Sequence, residues 1–227
     1  AQEQVQTLIQ TDSSPQIGMP DTTIQGVDGI HEITEGHGFL DGNSTLLHSF
    51  EFFNVGLGDT ARFTAESGGI NSVVSRVTGD FRSEIHGSIE SSIPGADFYF
   101  LNPKGVFFGP NSSIDVPKAF HLSADPSGLF ANQMRVVMPS SELSEPVLSM
   151  APSEAFGFGS SGLGNITLDG ATLFFDAPAT SGGGSVTLRA GDISLENGAK
   201  ILAINRNVKA EATGKIELSG VNAADGF

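Results

Sequence analysis

The sequence predicts an all-β solenoid, and three observations carry that expectation. Glycine and proline, 29 and 11 of the 227 residues, punctuate the chain nearly everywhere and leave little room for helices. Strand-like runs are short and frequent, as in "ARFTA", "SVVSRV", "DFYFL", "GVFFG", "ATLFF", "SVTLRA" and "KIELSG", with Gly, Asp, Asn or Pro around them. Similar pieces also recur. The apolar-Thr-Leu runs start at Ile166 and Val186, 20 residues apart, and the next comparable strand starts at Ile216, 30 further on. A period in the twenties suits one coil of a β-solenoid, whose inward side chains are buried only when coils stack.

The N-terminal "AQEQVQTLIQ" lacks the basic start and apolar run of a signal peptide, and its small first residue suits a mature end left by cleavage. Residues 1–40 read as an extension and cap. The cap is a strand pair around "TTIQGVDGIHEITEG" (22–36), lying over an end whose open edge would template aggregation. In "HSFEFFNV" (48–55), strict alternation puts Phe50 and Phe52 on one face and Phe53 on the other. One set then fills the first coils. The other meets an extra-helical element or a partner, as an aromatic edge recognised during secretion would.

Residues 98–116, "FYFLNPKGVFFGPNSSIDV", read as one coil with three short faces. Pro103 and Pro110 have no N–H to donate and belong at corners. Gly105 and Gly109 permit positive φ there. Asn102 and Asn111 can bond the local backbone.

Residues 125–164 have a different texture, with four prolines and the polar "PSSELSEP". This segment reads as an extra-helical hairpin or loop, with a strand at "NQMRVVM" and a strand or helical turn at "EPVLSMA". Stacked coils return at 165–175 and 185–201. The polar "AINRNVKAEATG" (203–214) is expected as a corner insertion that accounts for the unequal steps. Val106, Phe108, Ile166, Leu168, Val186, Leu188 and Ile216 are expected to point inward. The whole chain, 1–227, reads as one domain. "GVNAADGF" ends in mid-pattern, as expected of a fragment of a longer solenoid or of a last coil covered by something else.

Composition narrows the function. There is no cysteine, which excludes disulfides, thiol catalysis and cysteine-bound zinc and suits an exported protein. The formal net charge of −15 makes nucleic acid and anionic membranes poor partners. Its plainest meaning is solubility. The aromatic set is 17 Phe, one Tyr and no Trp. Phe lacks the polar tip that ligand clefts use, so most of it is expected in a dry interior.

Catalytic patterns are weak. Asp169, Asp176, Asp192 and Glu196 lie in the repeats, where polysaccharide-cleaving solenoids cluster carboxylates. Asp169 and Asp192 sit beside glycines, however, and turn formation is their ordinary role. Arg189 on "TLRAG" is expected to be solvated. His31, His37, His48, His86 and His121 show no metal-ligand spacing, and His48 is expected to be packed with its ring nitrogens satisfied. No nucleophile elbow, P-loop, dinucleotide fingerprint or Gly-Gly-x-Gly-x-Asp calcium repeat is present. No catalytic residue, metal ligand or cofactor is assigned.

"LHSFEFFNVGLGDTARF" (47–63), "INSVVSRVTG" (70–79), "IHGSI" (85–89) and "FLNPKGVFFGPNSSIDV" (100–116) occur in an order and spacing that resemble one family. It is the N-terminal secretion (TPS) domain of filamentous haemagglutinin-like TpsA exoproteins of two-partner secretion, nearest in wording to cyanobacterial members. The resemblance implies a right-handed parallel β-helix with an N-terminal cap and extra-helical β elements. It implies a non-enzymatic domain that reaches the periplasm, is recognised by the periplasmic domains of an outer-membrane TpsB-type β-barrel transporter, and is passed to the cell surface.

On this reading Asn102, Pro103, Gly105, Gly109, Pro110 and Asn111 join Phe50, Phe53 and Asn54 as transporter-recognition candidates. Glycan or host-surface binding is expected of downstream regions. Two departures stand out. The family's Asn-Pro-Asn-Gly reads Asn102-Pro103-Lys104-Gly105 here, and its Asn-Pro-Asn-Leu motif is replaced by "TAESGGI" (64–70). Two other classes remain open: a polysaccharide-acting β-helix enzyme, and a direct glycan or surface adhesin.

Overall fold

The computed structural model describes residues 5–13, 20–42, 44–124, 129–131, 134–136, 148–150, 163–176, 184–204 and 206–219. Apart from one 3-10 turn at Glu35–His37, the regular elements among them are strands. Four precede the coils: β1 (Leu8–Thr11), β2 (Gly26–Val27), β3 (Ile30–Ile33) and β4 (Phe39–Asp41). The first coil carries β5 (Thr45–Asn54) and β6 (Thr60–Phe63). The second carries β7 (Ser72–Val77), β8 (Ser83–Ile85) and β9 (Ser88–Ser91). The third carries β10 (Asp97–Leu101), β11 (Gly105–Phe108) and β12 (Ser113–Asp115).

The fourth coil begins with β13 (Phe120–Ser123). It is interrupted by β14 (Leu129–Ala131), β15 (Met134–Val136) and β16 (Leu148–Met150), and resumes with β17 (Asn165–Asp169) and β18 (Thr172–Asp176). The fifth carries β19 (Ser185–Ala190), β20 (Ile193–Glu196) and β21 (Lys200–Ile204). Then come β22 (Asn207–Ala212) and β23 (Ile216–Leu218).

Like strands stack in register. The first face runs β5-β7-β10-β13-β19-β22, all parallel. The second runs β8-β11-β17-β20-β23, also parallel. The third is the parallel run β3-β6-β9-β12 and, higher up, the separate pair β18-β21. Parallel pairing through crossovers, with the hand such crossovers take, makes this a right-handed parallel β-helix. β14, β15 and β16 pair antiparallel with one another, outside the three stacks. The rest of 125–164, like 220–227, lies outside the described residues.

The repeat differs from the one read in sequence. Ile166 and Val186 lie on different faces. Ile166 pairs with Ile193, and Ile193 with Ile216, steps of 27 and 23 residues, while Val186 pairs with Val208, a step of 22. The apparent 20-and-30 pattern compared unlike strands. Residues 203–214 are therefore no corner insertion, since β21 and β22 occupy them as regular strands.

The cap is larger than one strand pair. β2 and β3 form the expected antiparallel hairpin. β4 also pairs antiparallel with the first half of β5, and β1 with its second half. The free edge of the first coil is thus covered along its length. A bulge at Glu51 breaks the alternation of β5: Gln10 faces Phe52, and Thr11 faces Phe50. Phe50 and Phe53 therefore both point inward, fully buried, and only Phe52 lies on the outside. The strict alternation expected for this run fails because of that one extra residue.

The interior is apolar and rich in phenylalanine. Phe53 meets Phe100 and Phe63 meets Phe98, each at 4.9 Å between ring centroids, and Phe120 stacks on Phe175 at 5.4 Å. Val106, Phe108, Ile166, Leu168, Val186 and Leu188 are buried as expected. Ile216 is 48% exposed, because β23 has only β20 beside it among the described residues.

His48 is buried at the capped end. Its Nε2 lies 3.1 Å from the Thr34 carbonyl, but Nδ1 has no partner among the described residues, so only one ring nitrogen is satisfied there. Burial pushes its pKa down to about 4.

Two outcomes follow. Leu188→Ala should destabilise the fold by about 2–5 kcal/mol, because it empties a shared interior. Leu202→Ala, on an exposed outer position, should cost less than about 0.5 kcal/mol, the usual range for surface changes. Urea melts of both variants check the register. The unfolded His48 ring takes up a proton near pH 6.5 and the folded one only near 4, so the unfolded chain binds more protons in between. Stability from this ring is complete above pH 6.5 and falls as the pH drops toward 4, by roughly 3 kcal/mol. Melts at pH 4.5 and 7.5 should show a smaller difference in His48→Leu than in the parent.

Candidate functional site

The Asn-Pro-Lys-Gly corner joins the first face to the second. Leu101 ends β10, and Pro103, with no N–H, cannot extend it. The turn closes when the Gly105 N–H donates to the Asn102 carbonyl at 2.9 Å. The Asn102 side chain is fully buried, and both its polar atoms are bonded. Its Oδ1 accepts the Lys104 N–H at 2.9 Å. Its Nδ2 donates to the Phe81 carbonyl at 3.1 Å and to Ser83 Oγ at 3.0 Å, both in the coil below. Its backbone N–H donates to the Ser123 carbonyl in the coil above, at 3.0 Å. One residue therefore fastens three coils.

Gly105 has φ +104, in the region that disfavours side chains, and a Cβ there would overlap the Asn165 carbonyl of the next coil. Lys104 is exposed and reaches Asp80 at 3.2 Å.

The second cluster, Gly109-Pro110-Asn111, turns the same coil from its second face to its third. The Ser112 N–H and hydroxyl both donate to the Gly109 carbonyl, at 3.0 and 2.7 Å. Gly109 does not have the positive φ expected of it. Glycine is needed there because a Cβ would lie 2.5 Å from the His86 Nδ1. Pro110 and Asn111 are exposed.

The remaining candidates lie elsewhere. Phe50 and Phe53 are in the core, and Asn54 Oδ1 accepts the Glu84 N–H at 2.9 Å. The structure thus brings Asn102, Pro103, Lys104 and Gly105 together with Phe81 and Ser83. It leaves the Gly109 corner at a separate place, while Phe52 of the aromatic run stacks on Phe81 at 6.0 Å between ring centroids. Phe81 and Ser83 were not expected from the sequence, because their link to Asn102 requires knowing which residues lie one coil below.

The catalytic candidates have turn partners. Asp169 Oδ1 accepts from the Asn197 side chain at 2.6 Å, and Asp192 Oδ1 from the Lys215 N–H at 2.9 Å. Arg189 is buried rather than solvated: it lies beside the equally buried Ser123 of β13, so this side of the first face is not open to solvent. Among the described residues no three His, Asp or Glu side chains are grouped to hold a metal ion.

A family model described as the TPS secretion domain matches residues 17–227. No curated protein matches the chain.

The corner separates three variants by stability. Asn102→Ala leaves the buried Ser83 hydroxyl and the part-buried Phe81 carbonyl and Lys104 N–H without their partner and should cost about 1–3 kcal/mol. Gly105→Val meets both an unfavourable φ and the Asn165 backbone, and it should prevent stable folding. Lys104→Asn loses only an exposed ion pair, worth at most about 1 kcal/mol. Thermal melts of the three should fall in the order Lys104→Asn, Asn102→Ala, Gly105→Val.

Proposed function

Because the chain belongs to the TPS secretion domain family, we propose that it is the part of a large exoprotein that an outer-membrane TpsB-type transporter recognises, and the part where β-helical folding begins at the cell surface. As a TPS domain it belongs to a secreted exoprotein of a two-partner system and pairs in general with a transporter of that system. The finer reading adds the route and the roles. The chain crosses the periplasm, meets the transporter's periplasmic domains there, and serves as the first stack on which later coils are laid.

The observation that carries this reading is the family match over 17–227, on a β-helix whose first coil is closed by β1 and β4. A closed first coil gives later coils a fixed base. The Asn102 corner serves this role chiefly as structure. Its carboxamide is wholly engaged inside the protein, so its side chain has nothing left to offer a partner. The reading assigns no catalytic residue.

The test fuses residues 1–227 to a passenger that is otherwise retained. The fusion should reach the cell surface or medium when the cognate TpsB-type transporter is produced, and remain in the periplasm when it is not. Equal release with and without the transporter would refute the proposal. Gly105→Val should abolish release, and Lys104→Asn should leave it unchanged.

A further inference from the structure

We propose that the N-terminal segment 5–13 is a folding latch: the second coil can pack its buried cation, Arg76, only once Asp12 of that segment is seated on the first coil. The latch rests on the secretion reading above, in which folding waits for the cell surface, and gives that delay a physical cause.

Three stretches far apart in sequence meet at one point. Arg76 lies on β7 beside the core residue Val77, so alternation puts its side chain on the outer side of the first face. It is nevertheless only 2% exposed. Its Nε donates to Ser49 Oγ of β5 at 2.7 Å. Ser49 Oγ in turn donates to Asp12 Oδ2 at 2.6 Å, and Thr78 Oγ1 donates to the same oxygen, also at 2.6 Å. The Asp12 N–H donates to the Ser49 carbonyl at 3.0 Å, just beyond the pairing of β1 with β5. Burial works against the charge on Arg76, and the Asp12 carboxylate works for it.

The segment is a strap fastened at both ends. At its other end Thr7 Oγ1 donates to the Asp59 carboxylate and accepts the Gly56 N–H at 2.7 Å. A Cβ on Gly56 would overlap the Val5 carbonyl, so the strap lies flush on the first coil. Between the two fastenings Ile9 is fully buried.

The charges impose an order. A buried guanidinium deprived of its carboxylate is strongly unfavourable, whereas an apolar side chain at the same place is not. The strand β7 therefore cannot settle on β5 while the strap is elsewhere. Asp12 is only half-buried, so the strap can be seated first. Residues 5–13 and 45–78 thus close as one unit, although Asp12 and Thr78 stand 66 positions apart. A chain whose strap is held away from its first two coils stays open, which is the state that passage through a transporter needs.

The experiment measures refolding and unfolding rates of the full chain in urea. Asp12→Asn keeps an acceptor oxygen for Ser49 and Thr78 and removes only the charge. It should slow refolding by about tenfold or more and speed unfolding by less than about threefold, the partition expected of a contact made before the rate-limiting step. Adding Arg76→Met removes the cation as well, and the double variant should refold within about threefold of the parent. Should Asp12→Asn not fold at all, the double variant decides: a restored cooperative melt upholds the latch, and its absence overturns it. The latch is also overturned if Asp12→Asn refolds within about twofold of the parent and only unfolds faster, because the contact then forms late. A double variant that refolds as slowly as Asp12→Asn overturns it too. None of these rates involves the transporter, so their failure leaves the recognition reading standing. Release of the fusion without its transporter would remove that reading and leave these rates untouched.

Discussion

A β-helix turns three corners per coil, and each corner must fit the one below and the one above to within an ångström or two. The corner at residues 102–105 shows what that constraint demands. Its backbone passes so close to the next coil that Gly105 and Gly164 cannot carry side chains. The turn satisfies its Lys104 and Gly105 N–H groups itself, through Asn102, but the Asn102 N–H and carboxamide nitrogen can be satisfied only by neighbouring coils. Asn102 meets the demand with one carboxamide that bonds down to Phe81 and Ser83 and forward to Lys104. Similar devices recur along the second face. Asn165 Oδ1 accepts the Asp192 N–H at 3.0 Å, and Asp192 Oδ1 accepts the Lys215 N–H. The faces between corners are then free to be apolar.

Stacking also explains the uneven aromatic content. Inward positions lie in columns, so large rings in neighbouring coils must share space. Phe98 stacks on Phe120 at 6.2 Å and 11°, while other pairs meet edge to face. Phe suits such columns because it brings volume without a polar atom that would need a partner. The lone Tyr99 points the other way, onto the covered outer side of the first face. There it stacks on His121 at 4.5 Å, and burial holds its hydroxyl well above its ordinary pKa.

The fold class was legible because its signals are local. Short apolar runs and corner residues such as Pro103, Pro110 and Gly105 reveal themselves without knowledge of their neighbours. The register was not legible. Ile166 and Val186 look alike in sequence yet occupy different faces, and only strand pairing distinguishes them. The Glu51 bulge left no sequence mark, and it reversed the side on which Phe53 falls. Asn102 stood out as a turn former. Its more important bonds, to residues about twenty positions earlier, needed the true coil length. Family motifs supplied the secretion role, which spacing and charge alone left open beside an enzyme or an adhesin.

The two antiparallel strands laid along β5 give the stack a direction. Sealed at its base, the helix offers later strands a finished template, and most coils close a loop of only some two dozen residues onto it; the fourth, with its step from Phe120 to Val186, is the exception. Short closures cost little chain entropy, and the slow step is confined to forming the base. Each coil, once seated, becomes the template for the next, so order in such a stack spreads from the sealed end one coil at a time.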